Sequence, residues 1–497
     1  MQQKRNASSL FLAGCGLAAA FAPIFFAPSL LTLGFFAHKI KSANSSKLAA
    51  VYGFWFGLGF FTAGLYWIAI GVSVYIDDFW WAIPFALFGL PLILSPFVAL
   101  TSFLAWRYRQ KDCYIIALSL IWVFFEWLRS WLFTGLPWNL LGYSLAFSDE
   151  LVQLASLIGI YGMSFLVIYI AAGSIDLLDH PGRNRYFLTF MIVLISSLSF
   201  GSWRLATNPI AFTNIKIRII QPNIPQSDKW DEESFWRHLD KHIDMSLINT
   251  GFKPDIIIWS EAAVTAPYRI PAIREHLQSA IIFPNTILIT GGVSDKRTSS
   301  EYELYSAMYA INSTGELLFE YHKAHLVPFG EYIPLKNILP IKKLTPGLQD
   351  YTEGEGGAIV ELQNPYLKIR PLICYETIFP NESYTKDAEV IVNITNDTWY
   401  GNSTGPYQHF HMARMRAVES GVPLLRSANS GISAIVDPLG RVISATKLGH
   451  AAVLDGLLPQ KLMARPYYSI LRDYGLLIVA LLIHILRKVL DKLRVLH

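Results

Sequence analysis

Residues 367–376 read Leu-Lys-Ile-Arg-Pro-Leu-Ile-Cys-Tyr-Glu. The run Leu367–Cys374 is the kind of short, β-rich segment that forms a strand, and it ends on a cysteine. Similar runs lie at Ile215–Gln221, Asp255–Ser260, Thr286–Thr290 and Glu389–Thr395. Several are continuously apolar, as strands buried on both faces require. Between them, Trp230–Thr250, Ala272–Ala280 and His409–Ser420 read as helices. The region from 211 to 460 is therefore expected to be an α/β domain, a mixed sheet covered by helices.

Folds of this kind place chemistry at strand ends, and three ends stand out. One is Ile258-Trp259-Ser260-Glu261-Ala262-Ala263, one is Tyr321-His322-Lys323-Ala324-His325, and one is Ile373-Cys374-Tyr375-Glu376. Taken singly, each residue is ordinary. Glu261 fits a helix cap or a solvated loop, Lys323 a surface charge, and Cys374 a small buried hydrophobe. Taken together they supply a base, a cation and a nucleophile. A thiol must be activated to attack an ester or amide. A carboxylate can take its proton, and an ammonium stabilises first the thiolate and then the oxyanion. The backbone N–H of Tyr375 is a candidate second oxyanion donor.

The rest of the chain is different in kind. Of 497 residues 53% are hydrophobic and only 16% charged, with a mean hydropathy of +0.35, against roughly 25% charged in an average soluble domain. Apolar residues concentrate in residues 1–208 and again at 468–492. Candidate spans lie at 7–22, 24–40, 50–75, 80–106, 113–133, 151–178, 186–205 and 471–490, giving about eight transmembrane helices. Pro23 and Pro28 interrupt the first two. Lys4, Arg5, Lys39, Lys41, Lys47, Arg107, Arg109, Lys111, Arg183, Arg185, Arg487, Lys488, Lys492 and Arg494 fall on one side of these spans. Asp77, Asp78, Asp149 and Glu150 fall on the other. The positive side faces the cytoplasm, so both termini are expected inside and the α/β domain outside.

Net charge is +4, in short clusters with no broad basic face, so no nucleic-acid partner is expected. Cys15, Cys113 and Cys374 offer no disulfide framework. Leu12-Ala13-Gly14-Cys15 resembles a lipoprotein cleavage site, but apolar sequence continues past it, and Cys15 reads as a buried thiol in the first span. Glu126 and Arg129, three residues apart within a span, read as an internal ion pair, with a lipid-headgroup contact as the functional alternative. Trp138, in Gly135-Leu136-Pro137-Trp138, reads as an interface anchor or a lining of a lipid path. His409 and His411 do not share a helix face, and no metal or other cofactor is expected.

The motifs around the three strand ends resemble the nitrilase, or carbon–nitrogen hydrolase, superfamily. That resemblance implies an αββα sandwich with a Glu261–Lys323–Cys374 triad. Longer stretches are similar to the apolipoprotein N-acyltransferase family. They are Trp259-Ser260-Glu261-Ala262, Lys323 through Pro334, Cys374-Tyr375-Glu376, Asn396 through Gly401 and Gln408 through Ala417. Arg426-Ser427-Ala428-Asn429-Ser430-Gly431 departs mildly from that family's Asn-Asn-Gly ending. The resemblance implies transfer of the sn-1 acyl chain of a phospholipid, typically phosphatidylethanolamine, through a Cys374 thioester to the α-amino group of an S-diacylglyceryl cysteine on an apolipoprotein. This would be the final step of bacterial lipoprotein maturation. It implies a multi-pass protein of the bacterial inner membrane with a periplasmic active site, and nothing calls for more than a monomer. Glu331 matches the family's second glutamate, beside Lys323. Tyr375 and Glu376 match residues following the nucleophile, and Trp230 an aromatic on a mobile loop. Two rivals share the residues: a membrane-anchored amidase, and a non-enzymatic sensor, which an intact triad argues against.

Overall fold

The computed structural model describes residues 2–179, 185–281, 283–297, 302–336, 338, 343, 349–384 and 386–475, in two compact units. The first comprises Met1–Tyr66, Leu87–Asn208 and Arg465–His497 and is helical over its described residues. Its helices include Gln2–Leu17, Leu31–Lys41, Ser46–Leu65, Leu90–Ala105, Tyr114–Arg129, Ala155–Asp179 and Arg185–Thr207. Four helices of the described chain are long and apolar enough to cross a membrane: Ser46–Leu65, Ile76–Tyr108, Ala155–Ser174 and Leu188–Thr207. The spans expected at 7–22 and 24–40 instead appear as helices of 16 and 11 residues, joined by short 3₁₀ turns around Pro23 and Pro28. Proline removes a backbone donor and blocks helix continuation, which fits the breaks between these two helices. The span expected at 471–490 lies outside the described residues beyond 475. The 1–208 boundary also divides differently, because Trp67–Ala86 packs as part of the second unit.

Within the helical unit, helix Gln2–Leu17 touches Ser46–Leu65 backbone to backbone. A Cβ on Gly14 would lie 2.0 Å from the Phe56 carbonyl oxygen, and one on Gly59 1.9 Å from that of Phe11. Small residues at helix crossings let apolar backbones approach this closely. Cys15, beside this contact, is half-buried, more open than its reading as a buried thiol implied. Glu126 Oε1 accepts from Trp122 Nε1 at 3.1 Å and from the Leu141 N–H at 3.0 Å. Arg129 Nη1 donates to the Leu136 carbonyl at 2.5 Å, and the Leu136 N–H returns to the Arg129 carbonyl at 2.9 Å. Both buried charges thus anchor the turn that follows their helix. That turn folds Trp138 inward, to 1% exposure, where an interface anchor would be open.

The second unit comprises Trp67–Ala86 and Pro209–Ala464. Its strands are β1 (Phe212–Gln221), β2 (Ile256–Ile258), β3 (Val264–Pro267), β4 (Ile287–Arg297), β5 (Tyr302–Ile311), β6 (Leu317–His322), β7 (Val360–Gln363), β8 (Tyr366–Ile373), β9 (Val390–Thr395), β10 (Leu424–Ala428), β11 (Ala434–Val436), β12 (Val442–Ala445) and β13 (Ala452–Pro459). One sheet has the order β13-β1-β2-β4-β5-β6, with β3 on β4, and the other β12-β11-β10-β9-β8-β7. β1, β2 and β4 are mutually parallel, as are β8, β9 and β10. Ile217, Ile258, Ile289 and Met308 of the first sheet pack against Ile369, Ile373, Val392 and Leu425 of the second. Helices Phe235–Leu247 and Pro271–Gln278 cover the first sheet's outer face, and Gly405–Ser420 covers the second's. The four layers are the αββα sandwich that was expected. Apolar burial on both faces explains the continuous hydrophobic run of β2. Each buried isoleucine contributes about 1.5–3 kcal/mol.

A test of the helix contact follows from the two glycines. Gly14→Ala and Gly59→Ala are each expected to cost about 1–3 kcal/mol by overpacking, seen as a lower unfolding midpoint in detergent. Gly16→Ala, whose Cβ would sit 3.6 Å from Thr32 Cγ2, should be tolerated. Equal midpoints for all three would refute the close contact.

Candidate active site

β2 ends at Ile258 and delivers Glu261. β5 and β6 each reverse direction, so β6 runs parallel to β4 and ends by delivering Lys323 on the same side of the sheet. β8 and β9, parallel neighbours in the other sheet, deliver Cys374 and the Asn396–Asp397 turn. The three residues singled out in the sequence therefore converge, and Glu331 joins them.

Lys323 is 1% exposed. Its Nζ lies 2.8 Å from Glu331 Oε1 and 3.2 Å from Glu261 Oε1. Burial alone would pull its pKa down. Glu261, Glu331 and the Cys374 sulfur together outweigh that and hold the ammonium well above its ordinary value. The second oxygen of each carboxylate is also held. Glu261 Oε2 accepts from the Asn396 N–H and Glu331 Oε2 from the Val327 N–H, each at 2.8 Å. Gly291 on β4 lets this strand end approach, since a Cβ there would lie 2.7 Å from Glu261 Cα.

Cys374 has φ +50°, a left-handed conformation for a non-glycine residue, and begins a 3₁₀ turn over Cys374–Ile378. Such a conformation persists where neighbours hold it. Glu376 Oε2 accepts from the Ile373 N–H at 2.6 Å. Glu376 Oε1 accepts from the Ala324 N–H and the Tyr321 hydroxyl, both at 2.8 Å. Glu376 thus ties the Cys374 turn to the lysine loop. Burial pushes the Cys374 thiol up, and Glu261 pushes it further. Lys323 offsets only part of this. The resting side chain is a thiol, so a base must take its proton as it attacks.

Tyr375 is buried, its ring packed edge-on against Phe379 at 5.1 Å and His325 at 5.5 Å. Trp230 is partly exposed in a turn that precedes helix Phe235–Leu247, not at a helix start as first read. Trp138 belongs to the helical unit.

The sequence reading missed Lys229. Its buried Nζ donates to the Glu261 carbonyl at 3.0 Å. Burial lowers its pKa to about 8, with Glu261 and Cys374 opposing. The only signal was its place beside Trp230. Asn396 was quoted within a motif but given no part. It supplies the backbone donor to Glu261, and its side chain donates to Gln226 Oε1 at 2.7 Å.

Comparison with known proteins bears on this arrangement. Residues 216–464 match the carbon-nitrogen hydrolase family, and residues 13–173 the apolipoprotein N-acyltransferase N-terminal domain. An apolipoprotein N-acyltransferase of Rickettsia typhi is 50% identical over 490 residues, covering 96% of this chain and 97% of its own. One of Rickettsia prowazekii is 50% identical over 480 residues, covering 94% and 95%. One of Brucella melitensis is 37% identical over 434 residues, covering 83% and 80%.

The charges around Cys374 make a prediction with opposite signs. Lys323→Met removes the cation that favours the thiolate, so alkylation of Cys374 by iodoacetamide should need higher pH. Glu261→Gln removes the anion that disfavours it, so alkylation should begin at lower pH. With Glu261 as general base, the role the sequence resemblance implies, acyl transfer should nevertheless fall at least about 100-fold in Glu261→Gln. Alkylation profiles moving the same way in both variants would contradict this electrostatic assignment.

Proposed function

Because the chain belongs to the apolipoprotein N-acyltransferase family, we propose that it moves the sn-1 acyl chain of a phospholipid, such as phosphatidylethanolamine, onto Cys374 and from there to an apolipoprotein. The observation that carries this reading is the buried Lys323 held between Glu261 and Glu331 beside a cysteine on a strained strand end.

In the first half-reaction Glu261 takes the Cys374 proton as sulfur attacks the ester carbonyl. Lys323 and the Tyr375 N–H receive the oxyanion. The ester C–O bond breaks, and Glu261 returns the proton to the departing lysophospholipid oxygen, leaving a thioester. In the second, the α-amino nitrogen of the S-diacylglyceryl cysteine attacks the thioester. The C–S bond breaks, an amide forms, and the proton passes through Glu261 to the Cys374 sulfur. The cycle is ping-pong and consumes no cofactor. Glu331 keeps Lys323 oriented throughout, and Trp230, on its turn beside Lys229, borders the path of the acyl chain.

Both substrates carry acyl chains in a membrane, which fits a domain at 211–460 flanked in sequence by apolar segments at 1–208 and 468–492. The distribution of lysine and arginine supports an inner-membrane protein with cytoplasmic termini and a periplasmic catalytic domain, and the proposed reaction needs only one copy of the chain. Water must be kept from the thioester, or hydrolysis replaces transfer.

Mass spectrometry of the purified protein incubated with phosphatidylethanolamine tests the reading. A Cys374 peptide heavier by one acyl chain is expected, absent in Cys374→Ala and cleared by a diacylglyceryl peptide. Clearance by water as fast as by the peptide would make the protein a hydrolase, and no adduct on folded protein would refute the acyl-enzyme.

A further inference from the structure

Behind the nucleophile lies a buried polar network that the chemistry above does not use. Asp397 follows β9, and His409 lies on helix Gly405–Ser420. Both side chains are fully buried. His409 Nδ1 faces Asp397 Oδ1 at 2.8 Å. Arg426 Nη2 donates to Asp397 Oδ2 at 2.7 Å and lies 3.1 Å from His409 Nδ1, and Arg426 also meets Asn393 Oδ1. The Thr395 hydroxyl donates to Asp397 Oδ1 at 2.9 Å. The Tyr400 ring packs edge-on over the imidazole at 5.7 Å. Gly431 leaves room for the carboxylate, since a Cβ there would lie 2.3 Å from Asp397 Oδ2.

This much polar apparatus fixes one ring, and the ring's other edge meets the nucleophile. His409 Nε2 lies 3.1 Å from the Cys374 carbonyl oxygen and 3.1 Å from Thr377 Oγ1, which itself donates to that carbonyl at 3.0 Å. Glu376 holds the peptide before Cys374 through the Ile373 N–H. His409 and Thr377 hold the peptide after it. A left-handed cysteine between two such clamps has its Cα–Cβ direction set by the backbone, and the thiol follows. Burying an arginine–carboxylate pair is a poor route to stability by itself, which leaves orientation as the return.

We infer that His409, locked by Asp397 and Arg426, is a positioning residue that grips the Cys374 carbonyl and so aims the thiol. It acts through the backbone of Cys374 and not on the substrate. The inference rests on Cys374 being the nucleophile of the proposed reaction, but not on the identity of acyl donor or acceptor.

Two variants separate position from packing. The amide nitrogen of His409→Gln reaches the place of Nε2, whereas that of His409→Asn stops near Nδ1 and faces Asp397. The full chain in detergent is treated with iodoacetamide, and Cys374 alkylation is followed by peptide mass spectrometry alongside the unfolding midpoint. With midpoints alike, His409→Gln should react within about threefold of wild type and His409→Asn at least about fivefold more slowly, the worth of one hydrogen bond. Equal rates in the two variants would overturn the inference while leaving acyl transfer standing. If His409→Asn does not fold, Thr377→Val removes the other donor to the same carbonyl. Slower alkylation in that variant supports the clamp, and an unchanged rate overturns it. A wild-type Cys374 that resists alkylation while the protein is folded would overturn the nucleophile reading and this inference with it.

Discussion

The catalytic unit depends on keeping one ammonium charged where water cannot reach it. Lys323 would be driven neutral by burial, and two carboxylates from different segments prevent this. The arrangement works in both directions. The lysine fixes Glu261 and Glu331 at hydrogen-bonding distance, and backbone N–H groups of Asn396 and Val327 occupy the outer oxygens. Removing one partner of such a buried set leaves an uncompensated charge, which costs about 3–5 kcal/mol. The site is therefore assembled as a whole, and the parallel directions of β2, β4 and β6 bring its members to one place.

Cys374, the proposed nucleophile, is prepared differently. Its thiol is held protonated by burial and by the neighbouring Glu261, so reactivity is withheld until a base can act. What is set in advance is direction. Glu376 fastens the turn to the loop carrying Lys323. The Asp397–His409 pair backs the turn, with His409 on the helix that covers the turn's own sheet. Groups placed before the reaction need not reorganise during it, which is where electrostatic catalysis gains most. Lys229, hydrogen-bonded to the Glu261 carbonyl, adds a second cation to the same neighbourhood.

The helical unit obeys another constraint. Its buried charges find their partners within the unit. Glu126 takes the Leu141 N–H and the Trp122 indole, and Arg129 the Leu136 carbonyl. Polar groups without water must be satisfied in this way. The same turn carries Trp138 inward. A tryptophan near the end of an apolar segment looks like an interface anchor when read as composition, and only the path of the turn shows otherwise.

Much of the protein was legible before any coordinates. Hydrophobic period and run length marked β1, β2, β4, β8 and β9 and the helices after residues 271 and 405, because burial on one or two faces leaves its mark residue by residue. Glu261, Lys323 and Cys374 were legible because each follows such a strand. Helix boundaries near Pro23, Pro28 and Trp230 were not, since a run of apolar residues does not say where the chain turns. Nor were the parts of Glu376, Asp397, His409 and Lys229. Each acts through hydrogen bonds to residues distant in the chain, from 29 residues for Asp397 with Arg426 to 55 for Glu376 with Tyr321. Sequence determined which residues are the candidates for the chemistry and which segments are apolar. Tertiary structure alone decided which carboxylates hold the lysine and what fixes the cysteine's turn, because the first contacts need the ends of β2 and β6 brought together in one sheet and the second need that sheet laid against the one carrying β8.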